Sequence, residues 1–466
     1  MTIIKAQETK ERTSSIGELA YSSQIKPDQV MDVLRKHMLV DGFDVIFDLK
    51  GSKGSYVFDS KRKKYFLDFF TFFASSPIGF NHPKMTTPEF MEKLAYVSLS
   101  KPSSSDSYTV EMAEFMDTFS KIAIPEYLPH AFLIEGGALA VENALKAAFD
   151  YRMRKNLESG YYRSDRDENK LKIIHFRRAF HGRSGYTLSL TNTDPAKTKY
   201  YPKFDWPRIH NPSVRFPLND ENLQIVKQEE EIALNQVKQA VAEFHNDIAA
   251  LIIEPIQAEG GDNHFRKEFF VRLREICSEN DIIMIMDEVQ TGVGLTGRMW
   301  AHQHFVKPDA ISFGKKTQVC GVLAGNKFDE VKDNAFNTPS RLNSTWGGNL
   351  VDMVRFTKFL QIISEERLVE NASEVGNHLL GKLREIETEF PKLVANSRGI
   401  GLFCAFDLPS PEKRLELRQR VFGKNLLLIG CGERTIRFRP PLNLSKSEVD
   451  EGIGIIRESL AEMSAI

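Results

Sequence analysis

The chain predicts a large α/β domain built on a mostly parallel sheet, followed by a smaller α+β domain, and three observations carry that expectation. From about residue 75 to 344, short apolar runs alternate with helical patterns, the order that strand and helix units of a parallel sheet require. Within that region DIIMIMD carries apolar residues on both parities, as a strand covered on both faces does. Beyond Trp346 the order turns mixed, with two helical patterns and the strand-like GLFCAFDLP.

Element by element, the first twenty or so residues are polar and without period, which predicts an arm. KPDQVMDVLRKHM, residues 26–38, predicts an amphipathic helix. FDVIFDL, GSYVFD and KYFLDFF, separated by turn residues, predict a small β-meander. Residues 1–74 are therefore expected to form an arm, a helix and a meander packed with the smaller domain. The large domain is expected over 75–344, with LKIIHF, IAALIIEPI and DIIMIMD among its strands, and the smaller one over 345–466.

Bulk composition narrows the function. With 466 residues, 41% of them hydrophobic, the chain can bury more than one core. Lys and Arg (62) nearly balance Asp and Glu (63) for a net charge of -1, which argues against nucleic acid and for a small-molecule partner. No apolar run has the length of a membrane span and no secretory h-region appears, so a cytosolic protein is expected. Cys277, Cys320, Cys404 and Cys431 are scattered without a CxxC pair, and predict buried, reduced thiols with no zinc site.

Four segments end apolar strands with residues that a core does not choose, and ligands of open α/β sheets bind at such strand ends. In the first, Gly136, Gly137 and Ala138 open a helical pattern, either as a plain tight turn or as a phosphate seat of backbone N–H groups. In the second, Phe180, His181 and Arg183 crowd one turn. This is either a surface turn or a stacking ring beside a guanidinium that can clasp a carboxylate.

In the third, Asp287 ends the buried strand, where an ionised carboxylate needs a cation; a protonated pyridine nitrogen is one. The GVGLTG that follows has dinucleotide-loop spacing, but DEVQT separates it from the strand and no acid follows at the required distance. In the fourth, Gly314 precedes Lys315 and Lys316. These are either exposed loop lysines or include an amine whose burial readies it for an imine.

Together the segments supply a phosphate seat, a stacking ring, an acid for a ring nitrogen and a lysine for an aldehyde, the needs of pyridoxal 5'-phosphate. The strings EGGALAVENALKAA, FHGRSGYTLSLTNT, EPIQAEGGDNHF, MDEVQTGVGLTG, FGKKTQVCG, RLNSTWGGNL and RFRPPL resemble the class III, or ω-amino acid, aminotransferases of fold-type I. They are most similar to the branch that acts on the ε-amino group of lysine. The resemblance spans roughly residues 35–460. It departs from the wider class where Gly136-Gly137-Ala138-Leu139 replaces a serine-containing phosphate turn, and where Lys316–Cys320 replaces a glycine-rich stretch; both departures fit the lysine branch.

The resemblance implies that Gly137 and Ala138 bind the phosphate, Phe180 stacks on the ring, Asp287 pairs with the ring nitrogen and Gln290 touches the ring hydroxyl. Lys315 is then the catalytic Schiff-base lysine and Lys316 a decoy. Thr345 would reach the phosphate of a neighbouring subunit, which implies a homodimer with shared sites. The implied substrates are L-lysine and 2-oxoglutarate. Arg183 would hold the distal carboxylate of either substrate, and Arg437, with Arg439 on the same strand face, would hold the second carboxylate of glutamate. Glu259 would neutralise Arg437 while lysine is bound. Ornithine, acetylornithine or 4-aminobutyrate as donor, and an aminomutase of the same fold, are the neighbouring alternatives.

Overall fold

The computed structural model describes residues 25–465, so the expected N-terminal arm falls outside the described residues. The 26–38 pattern yields only a 3-10 turn, Pro27–Gln29, and a short helix, Val30–Arg35. None of its residues is buried, so no packing face extends it. The meander forms as an antiparallel pair, Tyr56–Asp59 with Lys64–Asp68, and Leu426–Leu427 adds to it in parallel. This N-terminal piece is thereby sewn to the C-terminal part of the chain.

The central sheet runs, edge to edge, through His130–Ile134, Cys320–Ala324, Ala310–Phe313, Ile283–Asp287, Ile248–Ile253, Lys172–Phe176 and Arg208–Ile209. Only Cys320–Ala324 is reversed among these strands. The reversal passes through Gly314–Val319, so both candidate lysines sit in the turn at the carboxyl end of a strand. The two middle strands are apolar on both parities because both their faces are covered: Ile248–Ile253 and Ile283–Asp287 are buried throughout. Each buried Ile or Met there contributes about 1.5–3 kcal/mol relative to exposure.

Register sets the site. Ile253 pairs with Met286 and Asp287 with Ser312, so Glu254, Asp287 and Ser312 finish together along one edge. The 22-residue helix Gly137–Glu158 also starts at this edge. Thr109, Asn219, Ser410 and Ser445 cap other helices with side-chain oxygens, whereas this helix starts from Gly136 at φ 94° without a side-chain cap. Its first N–H groups are left to something else.

Ala395–Ile400, Phe403–Asp407, Thr435–Arg437 and Ile429–Cys431 form an antiparallel sheet in that order, with the helices Leu368–Glu389 and Pro411–Gly423 packed against it and Lys446–Ser464 packed on those helices. All four cysteines are buried and unpaired. No helix among the described residues is long and apolar enough to cross a membrane. GVGLTG opens no helix; it is a buried turn whose Gly294 abuts Leu442 and Val369 and whose Gly297 abuts Ser373.

Candidate active site

Asp287 is held from three sides. Its Oδ1 accepts from Ser312 Oγ at 3.0 Å and from Val289 N at 3.1 Å, and its Oδ2 lies 2.7 Å from His181 Nδ1. A carboxylate only accepts, so the Nδ1 proton of His181 points at it. The other ring nitrogen, Nε2, is buried without a partner. Beside Asp287 stands Glu254, whose two oxygens accept from Phe180 N (2.9 Å) and Ala258 N (3.0 Å). Burial pushes the Glu254 carboxyl up to about 7; His181 opposes this and Asp287 adds to it. Asp287, held by three donors, thus stands where a ring cation would meet its carboxylate.

The two lysines differ completely. Lys316 is buried, donates to Gln290 O at 2.9 Å, and is driven well below the ordinary lysine range by burial, with Arg439 adding. The Lys315 amine has no hydrogen bond or ion pair among the described residues. Burial brings it down to about 8; Arg437 helps, while Glu259, Asp287 and Glu254 pull the other way. A fair share of such an amine is neutral near pH 7–8 and can attack a carbonyl. Lys315 itself sits at φ 55°, in the left-handed region, after Gly314.

The glycines show how tightly the backbone converges. A Cβ on Gly314 would lie 3.4 Å from Gly137 Cα, one on Gly137 would strike Val289 Cγ1 at 2.7 Å, and one on Gly182 would strike Ala138 Cβ at 2.6 Å. The lysine turn, the His181 turn and the start of the Gly137–Glu158 helix therefore meet at one point.

The arginines close the far side. Arg437 Nη2 meets Glu259 Oε1 at 2.5 Å and Arg437 Nη1 donates to Gln290 Oε1 at 3.0 Å. Burial would raise the Glu259 carboxyl, but Arg437, then Lys197 and Lys315, bring it down to about 2. Arg439 also donates to Gln290 Oε1 (3.0 Å), but both of its terminal nitrogens bond Asp262 and its guanidinium stacks 3.5 Å from the Phe403 ring centroid. Arg439 is fully engaged, and Arg437 is the arginine with an exchangeable partner. The run Thr71–Ala74, all at positive φ, is pinned by Asp68 Oδ1 accepting from Phe70 N and Thr71 N; it sets the Phe73 ring 5.8 Å from the Arg437 guanidinium.

The structure thus brings together Gly137, Ala138, Phe180, Asp287, Gln290, Glu259, Lys315 and Arg437. Two expected residues stand apart. Arg183 is exposed and makes no ion pair among the described residues, although its neighbour Gly182 touches Ala138. Thr345 is exposed in a loop where Ser105 Oγ donates to Ser344 O and where Lys101 both covers the Trp346 ring and pairs with Glu135. A cavity of about 1230 Å³ lies behind the Gly260–Gly261 turn, among Arg178, Arg208 and Arg434, and Lys315 does not line it.

Sequence reasoning passed over Glu254, Ser312 and Lys197 and gave His181 no role. Glu254 carries the same signal that exposed Asp287, an acid directly after an apolar strand. Ser312 needed the register, and nothing in the sequence marks Lys197.

The parts fit pyridoxal phosphate. An uncapped helix start with close-packed glycines suits a phosphate, an orphaned His181 Nε2 and a thrice-held Asp287 suit a ring cation, and a desolvated Lys315 suits the aldehyde.

Comparison with known proteins agrees. Residues 40–460 match the family model described as aminotransferase class-III. An L-lysine-epsilon aminotransferase of Mycobacterium tuberculosis is 49% identical over 93% of this chain and 96% of its own length. A 4-aminobutyrate aminotransferase of Emericella nidulans is 32% identical over 94% and 87%. A solved lysine aminotransferase from M. tuberculosis, in its internal aldimine form, superposes with a TM-score of 0.90 at 49% identity, covering 94% of this chain and 99% of that one. A buried acid at a strand end and a lysine one strand further on thus stand in a chain that belongs to the class III aminotransferases, enzymes whose cofactor is pyridoxal 5'-phosphate.

Proposed function

We propose that this chain transfers the ε-amino group of L-lysine to 2-oxoglutarate. The products are L-glutamate and 2-aminoadipate 6-semialdehyde, which closes on its own α-amine to piperideine-6-carboxylate with loss of water. The observation that carries this reading is the Glu259–Arg437 pair beside Lys315. Lysine enters by its ε-end and carries one carboxylate, so an arginine neutralised by Glu259 suits it. Glutamate enters by its α-end and needs that same arginine bare.

The bound cofactor supplies the electron sink and carries nitrogen between the two half-reactions. Asp287, aimed by Ser312 and His181, keeps a proton on the ring nitrogen. Lys315 Nζ, neutral for part of the time near its pKa of about 8, would be the base that takes the proton from the substrate carbon. Phe180 would face the ring, the N–H groups of Gly137 and Ala138 would hold the phosphate, and Gln290, already oriented by Arg437 and Arg439, would meet the ring hydroxyl. Arg183 clasps the distal carboxylate of either substrate. Thr345 serves the phosphate of a second copy, its exposure in one copy leaving it available for that, so the working unit is a homodimer in the cytosol.

The test is a titration followed by cofactor absorbance. L-Lysine should bleach the yellow form and 2-oxoglutarate restore it, with ornithine and 4-aminobutyrate at least about tenfold less efficient. A cofactor that responds to glutamate but not to lysine would rule the donor out.

A further inference from the structure

We infer that Lys197 is the second docking point of the Glu259 carboxylate, a positioning residue that lets Arg437 be vacated for a dicarboxylate ligand. The inference rests on the reading of Glu259 and Arg437 given above. Glu259 lies between two cations: Oε1 meets Arg437 at 2.5 Å, and Oε2 faces Lys197 Nζ at 3.4 Å. Lys197 stands in the short Pro195–Thr198 turn of helix, fixed at its start by Asp194 Oδ1 accepting from Ala196 N at 2.9 Å, and its amine lies 5.4 Å from the Phe180 ring centroid. The cation is therefore already at the site, in reach of the oxygen that Arg437 does not use.

A carboxylate that left a buried arginine for nothing would be a bare charge in a dry pocket, a costly state. With Lys197 in reach, a modest rotation of the Glu259 side chain exchanges a bridging carboxylate for one held by Lys197 alone. The asymmetry sets the direction of return. The Arg437 side chain is 1% exposed and that of Lys197 30%, so the lysine is the better hydrated and weaker holder, and Glu259 goes back to Arg437 when the ligand leaves. L-Lysine, with one carboxylate, never demands the exchange, whereas 2-oxoglutarate and glutamate do. Lys197 thus tunes one half-reaction and spares the other.

Glutarate, a dicarboxylate that cannot be transaminated, probes the exchange without turnover. In the holoenzyme, Lys197→Met should weaken glutarate binding by calorimetry about tenfold and raise the KM for 2-oxoglutarate by a similar factor. The KM and kcat of the lysine half-reaction should move less than about twofold, and Lys197→Arg should restore most of the loss. In a Glu259→Gln background the same Lys197→Met change should alter glutarate affinity less than about twofold, because no carboxylate is left to hand over. Three results would each overturn the inference: an unchanged glutarate affinity, an equal loss in the lysine half-reaction, or a full effect persisting in Glu259→Gln. Should L-lysine fail to convert the wild-type cofactor at all, the donor assignment falls, while the glutarate measurements still decide the role of Lys197.

Discussion

Replacing Glu259 by Gln keeps the shape of the gate and removes its charge. Burial alone raises this carboxyl, yet Arg437, Lys197 and Lys315 bring it from its ordinary 4.5 to about 2. At about 1.4 kcal/mol per tenfold in proton affinity, the surroundings favour the charged form by about 3 kcal/mol. That is a net figure, because burial opposes the three cations; Lys197 and Lys315 stay beside Glu259 when Arg437 is vacated, so a ligand must overcome only part of it, on the order of 1.4–2 kcal/mol. A dicarboxylate must displace this interaction before Arg437 can receive it, so Glu259→Gln should improve kcat/KM for 2-oxoglutarate and glutamate by about 10- to 30-fold. The lysine half-reaction should weaken several-fold as a bare guanidinium faces a substrate without a second carboxylate. Stopped-flow absorbance of the cofactor measures both half-reactions in one preparation. A ratio of glutamate to lysine efficiency within about threefold of wild type would refute the gate.

Other consequences follow from the same geometry. Borohydride should fix the cofactor irreversibly in Lys316→Met but not in Lys315→Ala, and the latter should lose turnover by at least about 10³-fold; fixation on Lys316 would contradict the assignment. Mixing Lys315→Ala subunits with Thr345→Ala subunits should regenerate one site of wild-type cofactor affinity per heterodimer. Mixed samples no better than Thr345→Ala alone would place Thr345 elsewhere. Glu254 has a folded pKa raised to about 7 from 4.5, so its contribution to stability is fully present below pH 4.5 and is lost as pH rises through about 7. In cofactor-free protein, the unfolding free energy of Glu254→Gln relative to wild type should therefore rise by about 3 kcal/mol between pH 4.5 and pH 8; a flat difference in denaturant titrations counts against it.

Much of this architecture is legible in the sequence because burial on both faces leaves a direct mark. DIIMIMD and IAALII have no polar parity and became the two central strands. The 26–38 helix was misjudged in length because periodicity predicts a face but not a partner for it, and here the partner is absent among the described residues. At the site, Asp287 and Lys315 stood out as polar residues at strand ends. The supports of Asp287 are separated from it by 25 positions in Ser312 and 106 in His181, and only strand register and the folding of the His181 turn bring them together. Lys197 was invisible because a lysine in DPAKTK looks like any solvated turn, and its meaning comes from Glu259, 62 positions later. Arg183 stands out in its crowded turn and takes its substrate from the resemblance, Thr345 comes from the resemblance alone, and their exposure in a single chain is what a second subunit and a bound substrate would have to change.

The most direct test of the central claim follows the nitrogen. L-Lysine labelled with ¹⁵N only at the ε-position is incubated with the holoenzyme and 2-oxoglutarate, and the products are separated for mass spectrometry. Transfer from the ε-position gives labelled glutamate together with an unlabelled cyclic imine that retains the α-nitrogen. Unlabelled glutamate with the label kept in the lysine-derived product would mean that the α-amine leaves, and the roles given to Arg183, Glu259 and Arg437 would have to be abandoned.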